Sequence, residues 1–283
     1  MKRSYSITDT KTSRGVKNIF SVSLMMYSLI AIVLILITVL SSFKTKSDLV
    51  NNTLGFPRSF TIESYEQVLV HDKFWLYFIN STVVAVGGVV LLLFVSSMAG
   101  YGLSKFRFKG KDGLRSYFLL GLMFPIQLGI LPLFVMLRAL GLINNLFGLI
   151  LLYAANMSFA VFVFVNFLKT VPDALIECAR IDGASEFRIY WKIVLPLSRP
   201  VLSTVGLISF VTMWNDFYMP LVFLTKENVR TLTLGVYRYM NNFLENWHLV
   251  FAAVTVALIP VIVVFFLFSK QIIAGLTSGA VKE

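Results

Sequence analysis

The sequence predicts an all-α integral membrane protein with six transmembrane helices and both termini in the cytoplasm. Hydrophobic residues make up 57% of the 283 residues and charged residues only 14%. The mean hydropathy of +0.80 is far above that of a soluble domain. Several stretches without charge are long enough to cross a bilayer as helices, which takes about 20 residues. The charges lie between these stretches, so we expect no folded soluble domain of ordinary size.

The first transmembrane helix is predicted at residues 18–43, after a basic cytoplasmic segment at residues 1–17. That segment carries five Lys/Arg residues and one Asp, and the following 26 residues carry no charge. This uncharged run exceeds the ~7–15 residues of a cleavable signal-peptide core, so we expect a retained span. Residues 44–73, with four basic and four acidic residues, are then expected as an external loop without net charge.

The other five transmembrane helices are predicted within residues 74–270, and residues 271–283 form a cytoplasmic tail. Pro125 and Pro132 both fall in the third span, where prolines kink a helix unless neighbouring groups satisfy the freed carbonyls. The five spans are expected within residues 74–104, 116–137, 139–168, 200–225 and 246–269.

The distribution of basic residues orients these helices. Segments assigned to the cytoplasm carry 17 Lys/Arg residues, and segments assigned to the outside carry 8. Cytoplasmic loops of membrane proteins are enriched in Lys and Arg, so six spans with both ends inside are favoured. The net charge of +11 is explained by this membrane pattern. The basic residues do not form one dense patch, so nucleic acid is not expected as a partner.

The connection between the fourth and fifth spans, residues 169–199, is the most charged segment and predicts two short helices around Gly183. Five basic and four acidic residues interrupt the hydrophobic runs here. Pro172 suits the first turn of a helix over residues 174–182. Gly183 then ends that helix, because glycine adopts the φ > 0 of a C-terminal turn without strain.

A second short helix is predicted after this turn, capped by Ser185 and ending before Pro196. Isolated helices of about ten residues are marginal in water. The two helices nevertheless carry apolar side chains that a partner ought to cover. These are Leu175, Ile176, Phe187, Tyr190, Trp191 and Ile193.

The spacing of residues in this segment resembles the EAA loop of binding-protein-dependent ABC importer permeases. Glu177–Ala179, Gly183 and Ile193–Pro196 match its pattern EAA-x3-G-x9-I-x-LP. The sequence departs from the pattern at Cys178, which replaces the usual alanine with another small residue. The resemblance implies that residues 169–199 form the loop that couples the permease to its ATPase.

Three further stretches resemble the maltose-type, carbohydrate-importing permeases, so the resemblance covers nearly the whole chain. They are Trp214–Phe217 followed by Pro220–Leu221, the basic cluster after Tyr101–Leu103, and Gly275–Lys282. What this implies is a type I importer fold in the cytoplasmic membrane of a bacterium or archaeon. It also implies a second homologous permease subunit, two ATPase subunits and an extracellular solute-binding protein. In that family the C-terminal tail of this subunit type reaches between the ATPases.

The resemblance assigns coupling to the ATPase to one set of residues in the loop. The set is Glu177, Ala179, Asp182, Gly183, Ile193, Leu195 and Pro196. No catalytic residue is expected in this chain. ATP and magnesium are implied for the partner ATPase subunits, and no cofactor is expected here.

The residue inventory excludes several chemistries for the chain alone. His71 and His248 are the only histidines, Cys178 is the only cysteine, and no cluster has metal-ligand spacing. Neither the phosphate-loop pattern GxxxxGK[ST] nor the hydrolase pattern GxSxG occurs. An ion-coupled carrier usually needs charged groups along its path, and only Asp216 lies within a span. Energy for transport must therefore come from another subunit.

Asp216 has two open interpretations. A charge inside a span is a functional candidate, and its neighbours offer the hydrogen bonds and aromatic faces that bind sugars. Alternatively, Asp216 anchors the outer end of a short helix in water. Other polar residues at membrane depth either face a cavity or bond helix to helix. The candidates for a translocation path are Trp214, Asn215, Asp216, Tyr218, Gln127 and Asn156.

The function expected from these observations is import of a sugar, with an oligosaccharide as the favoured substrate. One alternative is a permease for another polar solute such as glycerol phosphate. From a different class, a channel or a membrane-embedded enzyme stays open. A channel would transport without ATP, whereas an importer should be inert without its ATPase.

Overall fold

The fold is helical throughout the part of the chain that the structure describes. The computed structural model covers the backbone of residues 11–240 and 243–280, and the side chains of residues 15–240 and 246–268. No β-strand occurs within these ranges. The all-α fold class is therefore confirmed.

Fifteen α-helices follow one another along the described residues. They are α1 (Lys11–Ser41), α2 (Lys46–Asn51), α3 (Glu63–Glu66), α4 (Phe74–Lys105), α5 (Lys111–Met123), α6 (Ile130–Ala139), α7 (Leu146–Ala155), α8 (Ser158–Leu168), α9 (Asp173–Ile181), α10 (Glu186–Ile189), α11 (Leu195–Leu197), α12 (Arg199–Asn215), α13 (Tyr218–Phe223), α14 (Leu232–Met240) and α15 (Phe243–Ala280). Short 3-10 turns lie at Ile126–Gly129 and Glu227–Val229, and π-type turns at Gln67–His71 and Tyr190–Val194.

The unbroken helix α4 lies at the centre of the fold. It packs against α7, α8, α12 and α14. Small residues let these neighbours approach closely, since a Cβ atom added to Gly100 would lie 2.5 Å from Cβ of Phe164 in α8. A Cβ atom added to Gly88 would lie 2.9 Å from Sδ of Met213 in α12. Lipid is as apolar as the side chains, so membrane helices gain most from such close packing.

The first helix, α1, stands at the periphery and packs mainly against α15. None of the residues in its most hydrophobic 18-residue stretch is buried inside the chain. Its apolar side chains are therefore available to lipid. The helix begins at Lys11, earlier than the predicted residue 18, because the helical backbone continues into the basic segment.

A proline breaks the predicted third span. Helices α5 and α6 are bent by 96° at this break. Pro125 lacks an N–H and forces Phe124 into an extended conformation, with φ −93° and ψ 118°. Pro132 causes no break, because it lies in the first turn of α6, where the N–H groups have no partner within the helix. Of these two prolines, only Pro125 therefore lies at a break in the span.

Two further helix pairs are bent. Helices α7 and α8 meet at 46°, and the segment Glu186–Leu197 meets α12 at 74°. Within the described side-chain ranges, three helical segments are individually long and apolar enough to cross a membrane, namely Gly15–Ser41, Phe74–Lys105 and Asn246–Phe268. The number reaches six if each bent pair is one span. The six-span topology therefore stays a prediction that these helices permit.

The predicted fifth span, residues 200–225, is also discontinuous. Helix α12 ends at Asn215 and α13 begins at Tyr218, with Asp216 extended between them (φ −68°, ψ 128°). Asp216 therefore lies at a helix break, where its side chain is free to bond to backbone groups.

The external loop predicted at residues 44–73 is a folded cap. Lys44 is 1% exposed. Its Nζ donates to the carbonyl oxygens of Asn52 at 2.7 Å and Thr53 at 3.1 Å, just after α2. A cation is favourable at the C-terminal end of a helix, so the buried ammonium is compensated by backbone dipoles.

Both ends of the chain include residues that the structure does not describe. Residues 1–10 of the predicted N-terminal segment and residues 281–283 of the predicted tail are outside the described residues. The boundary predicted at residue 270 is not a break in the helix, because α15 continues to Ala280.

The predicted topology is open to a labelling test with Cys178, which is exposed and is the only cysteine of the chain. We expect an impermeant maleimide to label Cys178 in inside-out vesicles and to leave it unlabelled in intact cells. The control is Ser47→Cys in a Cys178→Ser background, on the external loop, which should label with the opposite pattern. Labelling of Cys178 from outside intact cells would reverse the topology.

Candidate functional site

Three helix breaks meet at one cleft of about 540 Å³. The chain contributes Pro125–Gln127, Asn156, Ser158 and Asn215–Asp216 to its lining. At ~1.5 Å per residue, the 11 residues of α8 and the 17 of α12 place two breaks about 16 and 26 Å from the loop at residues 169–199. Both lengths are shorter than the hydrocarbon layer of about 30 Å that the predicted spans would cross. Irregular backbone at such depth is tolerated where it lines a cavity.

Asp216 is the only carboxylate in the part of the cleft lining that the structure describes. Its Oδ2 accepts a hydrogen bond from the hydroxyl of Tyr153 at 2.8 Å. Its Oδ1 accepts from the backbone N–H groups of Tyr218 at 2.9 Å and Met219 at 3.4 Å. The carboxylate therefore satisfies donors at the start of α13 and connects them to α7. Asp216 is an anchor, and it also lines the cleft, so the two interpretations are not exclusive.

The other polar groups of the cleft are uncharged. The predicted path residues Gln127, Asn156, Asn215 and Tyr218 all line it. Hydroxyl groups that the sequence analysis did not identify come from Tyr153, Ser158, Ser209 and Thr212. Among the described residues that line the cleft there is no Lys, Arg or His. The cleft thus offers neutral donors and acceptors, aromatic faces and one negative charge.

The structure does not bring Trp214 into the cleft. Its side chain is 3% exposed, stacks on Phe210 and meets Phe78 edge to face. Its Nε1 donates to the carbonyl oxygen of Ala257 at 3.1 Å. That carbonyl lies in α15 one turn before Pro260, where the proline weakens the helical hydrogen bonding. Trp214 therefore packs α12 against α15 and does not line the cleft, unlike the other five residues predicted for the translocation path.

The coupling-loop candidate begins with α9 and a glycine turn. Gly183 has φ +76°, as predicted. Its N–H bonds to the carbonyl of Arg180, and the N–H of Ala184 bonds to the carbonyl of Ala179, both at 3.0 Å. This pair of bonds is the Schellman motif, which satisfies the carbonyls at the end of a helix. Ser185 caps α10 by accepting from the N–H of Arg188 at 3.3 Å, also as predicted.

The second helix of the loop runs further than predicted. It continues through Pro196 to Leu197, so the predicted end before Pro196 is wrong. A π-type turn at Tyr190–Val194 widens the helix just before the proline and admits its ring. Beyond the proline the N–H of Ser198 donates a hydrogen bond to the carbonyl of Val194 at 3.0 Å, as in a regular helix.

The motif residues divide between the interior and the surface of the loop. Ala179 is buried, and Ile193 and Leu195 pack against a small core that includes Tyr101, Ile176 and Tyr190. These apolar residues fix the shape of the loop. The exposed members are Glu177, Asp182, Gly183 and Pro196.

Apolar side chains on the outer face of the loop remain uncovered. Leu175 is 48% exposed, Phe187 62% and Ile181 85%. Ile181 was not predicted for this face. Trp191 instead lies beside Phe94 of α4, with ring centroids 6.2 Å apart, so it belongs to the side of the loop that faces α4.

Charged groups fasten the loop to the end of α4. Lys105 Nζ donates to Asp173 Oδ1 at 2.6 Å and to the carbonyl of Val171. The hydroxyl of Tyr101 donates to Glu186 Oε2 at 2.8 Å, and Arg180 Nε donates to Glu186 Oε1 at 2.6 Å.

The bond from Lys105 holds the pKa of Asp173 below its usual value. The ion pair therefore persists at neutral pH and is lost only as pH falls through that lowered pKa. Tyr101 and Lys105 were not predicted as site residues, because only the folded chain brings α4 against the loop.

The chain matches a family described as binding-protein-dependent transport system inner membrane component over residues 92–277. The multiple sugar-binding transport system permease protein MsmG of Streptococcus mutans is 36% identical over 256 residues, which cover 88% of this chain and 91% of that protein. The arabinooligosaccharides transport system permease protein AraQ of Halalkalibacterium halodurans is 32% identical over 276 residues, which cover 96% and 99%.

The fold is similar to a chain in the crystal structure of a bacterial ABC transporter involved in the import of the acidic polysaccharide alginate. The TM-score is 0.82 and the sequence identity 25%, over 94% of this chain and 99% of that chain. The chain belongs to the inner-membrane components of binding-protein-dependent transport systems, the permease subunits of ABC importers.

Proposed function

We propose that this chain forms part of the translocation path of an ATP-driven importer for a neutral sugar, favouring an oligosaccharide. The cleft in which three helix breaks meet carries this proposal. Its volume of about 540 Å³ lies in the range of small-molecule sites. Its amides, hydroxyls and aromatic rings are the groups that bind sugars. The printed names of the relatives MsmG and AraQ support a saccharide substrate.

The charge of the cleft favours a neutral substrate over an anionic one. A phosphate or carboxylate would meet Asp216, and no cation among the described lining residues offsets the repulsion. We therefore favour a neutral sugar over glycerol phosphate, the alternative that the sequence left open. The same argument disfavours an acidic polysaccharide.

We further propose that the chain works with a second homologous permease subunit, two ATPase subunits and an extracellular solute-binding protein. ATP and magnesium bind to the ATPase subunits. The complex lies in the cytoplasmic membrane of a bacterium or archaeon. Leu175, Ile181 and Phe187 support docking of the loop on an ATPase, because exposed apolar side chains at this density are typical of an interface.

Helix α4 is the element through which docking reaches the cleft. Its residue Leu92 lines the cleft, and its end at Tyr101 and Lys105 is bonded to the loop. At its other end Asn80 donates to the carbonyl oxygens of Asn228 and Arg230. A displacement of the loop by the ATPase would therefore move a helix that contacts both the cleft and the external surface.

The coupling loop is tested by Gly183→Val in the reconstituted transporter. Wild type should import a labelled neutral oligosaccharide only when ATP and the binding protein are present. Gly183→Val should lose about 90% or more of sugar-stimulated ATP hydrolysis. A β-branched residue at φ +76° costs ~1–3 kcal/mol and re-aims α10 relative to α9. Glu177→Ala should act more mildly, by removing one surface charge.

Gly110→Val is the matched control for the loss expected at Gly183. Gly110 has φ +87°, lies in the loop before α5 and has open space around it, as Gly183 has. The control should lose far less stimulation if the effect is specific to the coupling loop. Full stimulation by Gly183→Val would remove the loop from the coupling role, and uptake without ATP would favour a channel.

Asp216→Asn tests the cleft. The amide cannot accept from both Tyr153 and the N–H groups of α13 as the carboxylate does, and it removes the negative charge. A hydrogen bond to a charged group is worth ~1.5–3 kcal/mol, so uptake should fall about tenfold or more. Tyr153→Phe is the control, because it breaks the same bond and keeps the charge. Normal uptake by an assembled Asp216→Asn transporter would leave Asp216 as an anchor only.

Tyr101→Phe tests the connection between α4 and the loop. Glu186 is 43% exposed, so solvent screening reduces the bond to ~1 kcal/mol, or about a fivefold change. We expect the ratio of sugar-stimulated to basal ATP hydrolysis to fall by up to this factor, with assembly unchanged. Tyr117→Phe, at an exposed position on α5, should leave the ratio unaltered. An unchanged ratio for Tyr101→Phe would exclude this bond from coupling.

A further inference from the structure

Another cavity, lined by different residues from the cleft, opens between α5 and α8. It is a groove of about 90 Å³ near the ends of these helices that carry Arg115 and Lys169. Its wall is apolar and includes Phe118, Leu119 and Phe162. Leu119 is 47% exposed and Phe162 41% exposed, so the groove faces outward from the fold.

Two cations stand at one end of this groove. Arg115 Nη2 donates to the carbonyl of Leu103 at 2.8 Å, which fixes the guanidinium against the end of α4. Its nearest carboxylate, Asp112, lies 3.6 Å from Nη1 and is 96% exposed, so this pair is weakened by solvent. Arg115 Nε is buried and has no acceptor. The Arg115 side chain is nevertheless 27% exposed, so an anionic oxygen can reach the rest of the guanidinium and form a charge-assisted hydrogen bond with it.

Lys169 supplies the second charge. It is exposed, follows directly after α8 and lines the groove with Arg115. Within the described residues its Nζ has no hydrogen bond and no ion pair. Its charge is therefore available to a ligand that also contacts the apolar wall.

We propose that this groove binds an anionic phospholipid, with an acyl chain along Phe118, Leu119 and Phe162 and the phosphate between Arg115 and Lys169. Arg115 lies near the start of α5 and Lys169 directly follows α8, so both cations lie at the ends of predicted membrane spans, where lipid phosphate groups are expected. Basic pockets between transmembrane helices are the sites at which anionic headgroups bind. A soluble phosphate would use the cations and leave the apolar wall unused, whereas a phospholipid uses both.

The test is retention of lipid by the assembled transporter in nanodiscs of phosphatidylcholine with a minority of phosphatidylglycerol. Native mass spectrometry counts the phosphatidylglycerol molecules that remain bound after detergent transfer. Wild type should retain phosphatidylglycerol over phosphatidylcholine. Lys169→Gln should lower that retention about fivefold, because one Lys or Arg near a membrane surface contributes about 1 kcal/mol to the binding of anionic lipid. Arg115→Gln should lower it at least as much.

Two variants distinguish a specific lipid site from diffuse attraction between anionic lipid and basic residues. Lys109→Gln removes another exposed cation, from the loop before α5 and outside the groove, and should leave retention within twofold of wild type. Asp112→Asn removes the carboxylate that competes for Arg115 and should raise retention. Equal losses in Lys109→Gln and Lys169→Gln would overturn a specific site and leave only a diffuse charge effect.

A cysteine in the groove tests whether protein covers it instead. In a Cys178→Ser background, Leu119→Cys should react with a lipid-soluble maleimide more slowly in phosphatidylglycerol nanodiscs than in phosphatidylcholine alone. Protection of equal extent in both lipids would show that a partner subunit fills the groove, and the proposal would fail.

Discussion

A helix can break inside a bilayer only where something other than lipid satisfies the backbone groups that the break exposes. This constraint explains why the breaks of this chain are not scattered. The turn after Pro125, the turn after Asn156 and the extended residue Asp216 all border one cleft. The unbroken helix α4 makes this possible, because its glycines let α8 and α12 pack closely enough to bring the breaks together.

Much of this architecture was accessible from the sequence, because it depends on local properties. Uncharged length predicts each apolar segment, and glycine at φ > 0 predicts the turn at Gly183. The effect of each proline could not be predicted from local sequence alone. Pro125 breaks a helix, Pro132 begins one and Pro196 lies inside one, since each depends on where the helix starts or widens. Composition alone does not show where a proline lies relative to the ends of its helix.

The site could be predicted only in part, for a related reason. Asn215, Asp216 and Tyr218 reach the cleft as expected, whereas the neighbouring Trp214 faces α15. Adjacent positions on a helix point about 100° apart, so a polar run does not share one environment. The partner of Asp216, Tyr153, is 63 residues away in sequence. No local pattern marks such a pair.

The bond between Tyr153 and Asp216 also has a consequence for how the chain is built during synthesis. The segment that carries Asn156 and Tyr153 leaves the ribosome well before the segment that carries Asp216. Until the later one arrives, the hydroxyl of Tyr153 in α7 lacks this carboxylate acceptor, and lipid offers no substitute. We therefore expect the earlier helices to be kept out of bulk lipid, beside α4 or within the insertion machinery, until the later helices emerge.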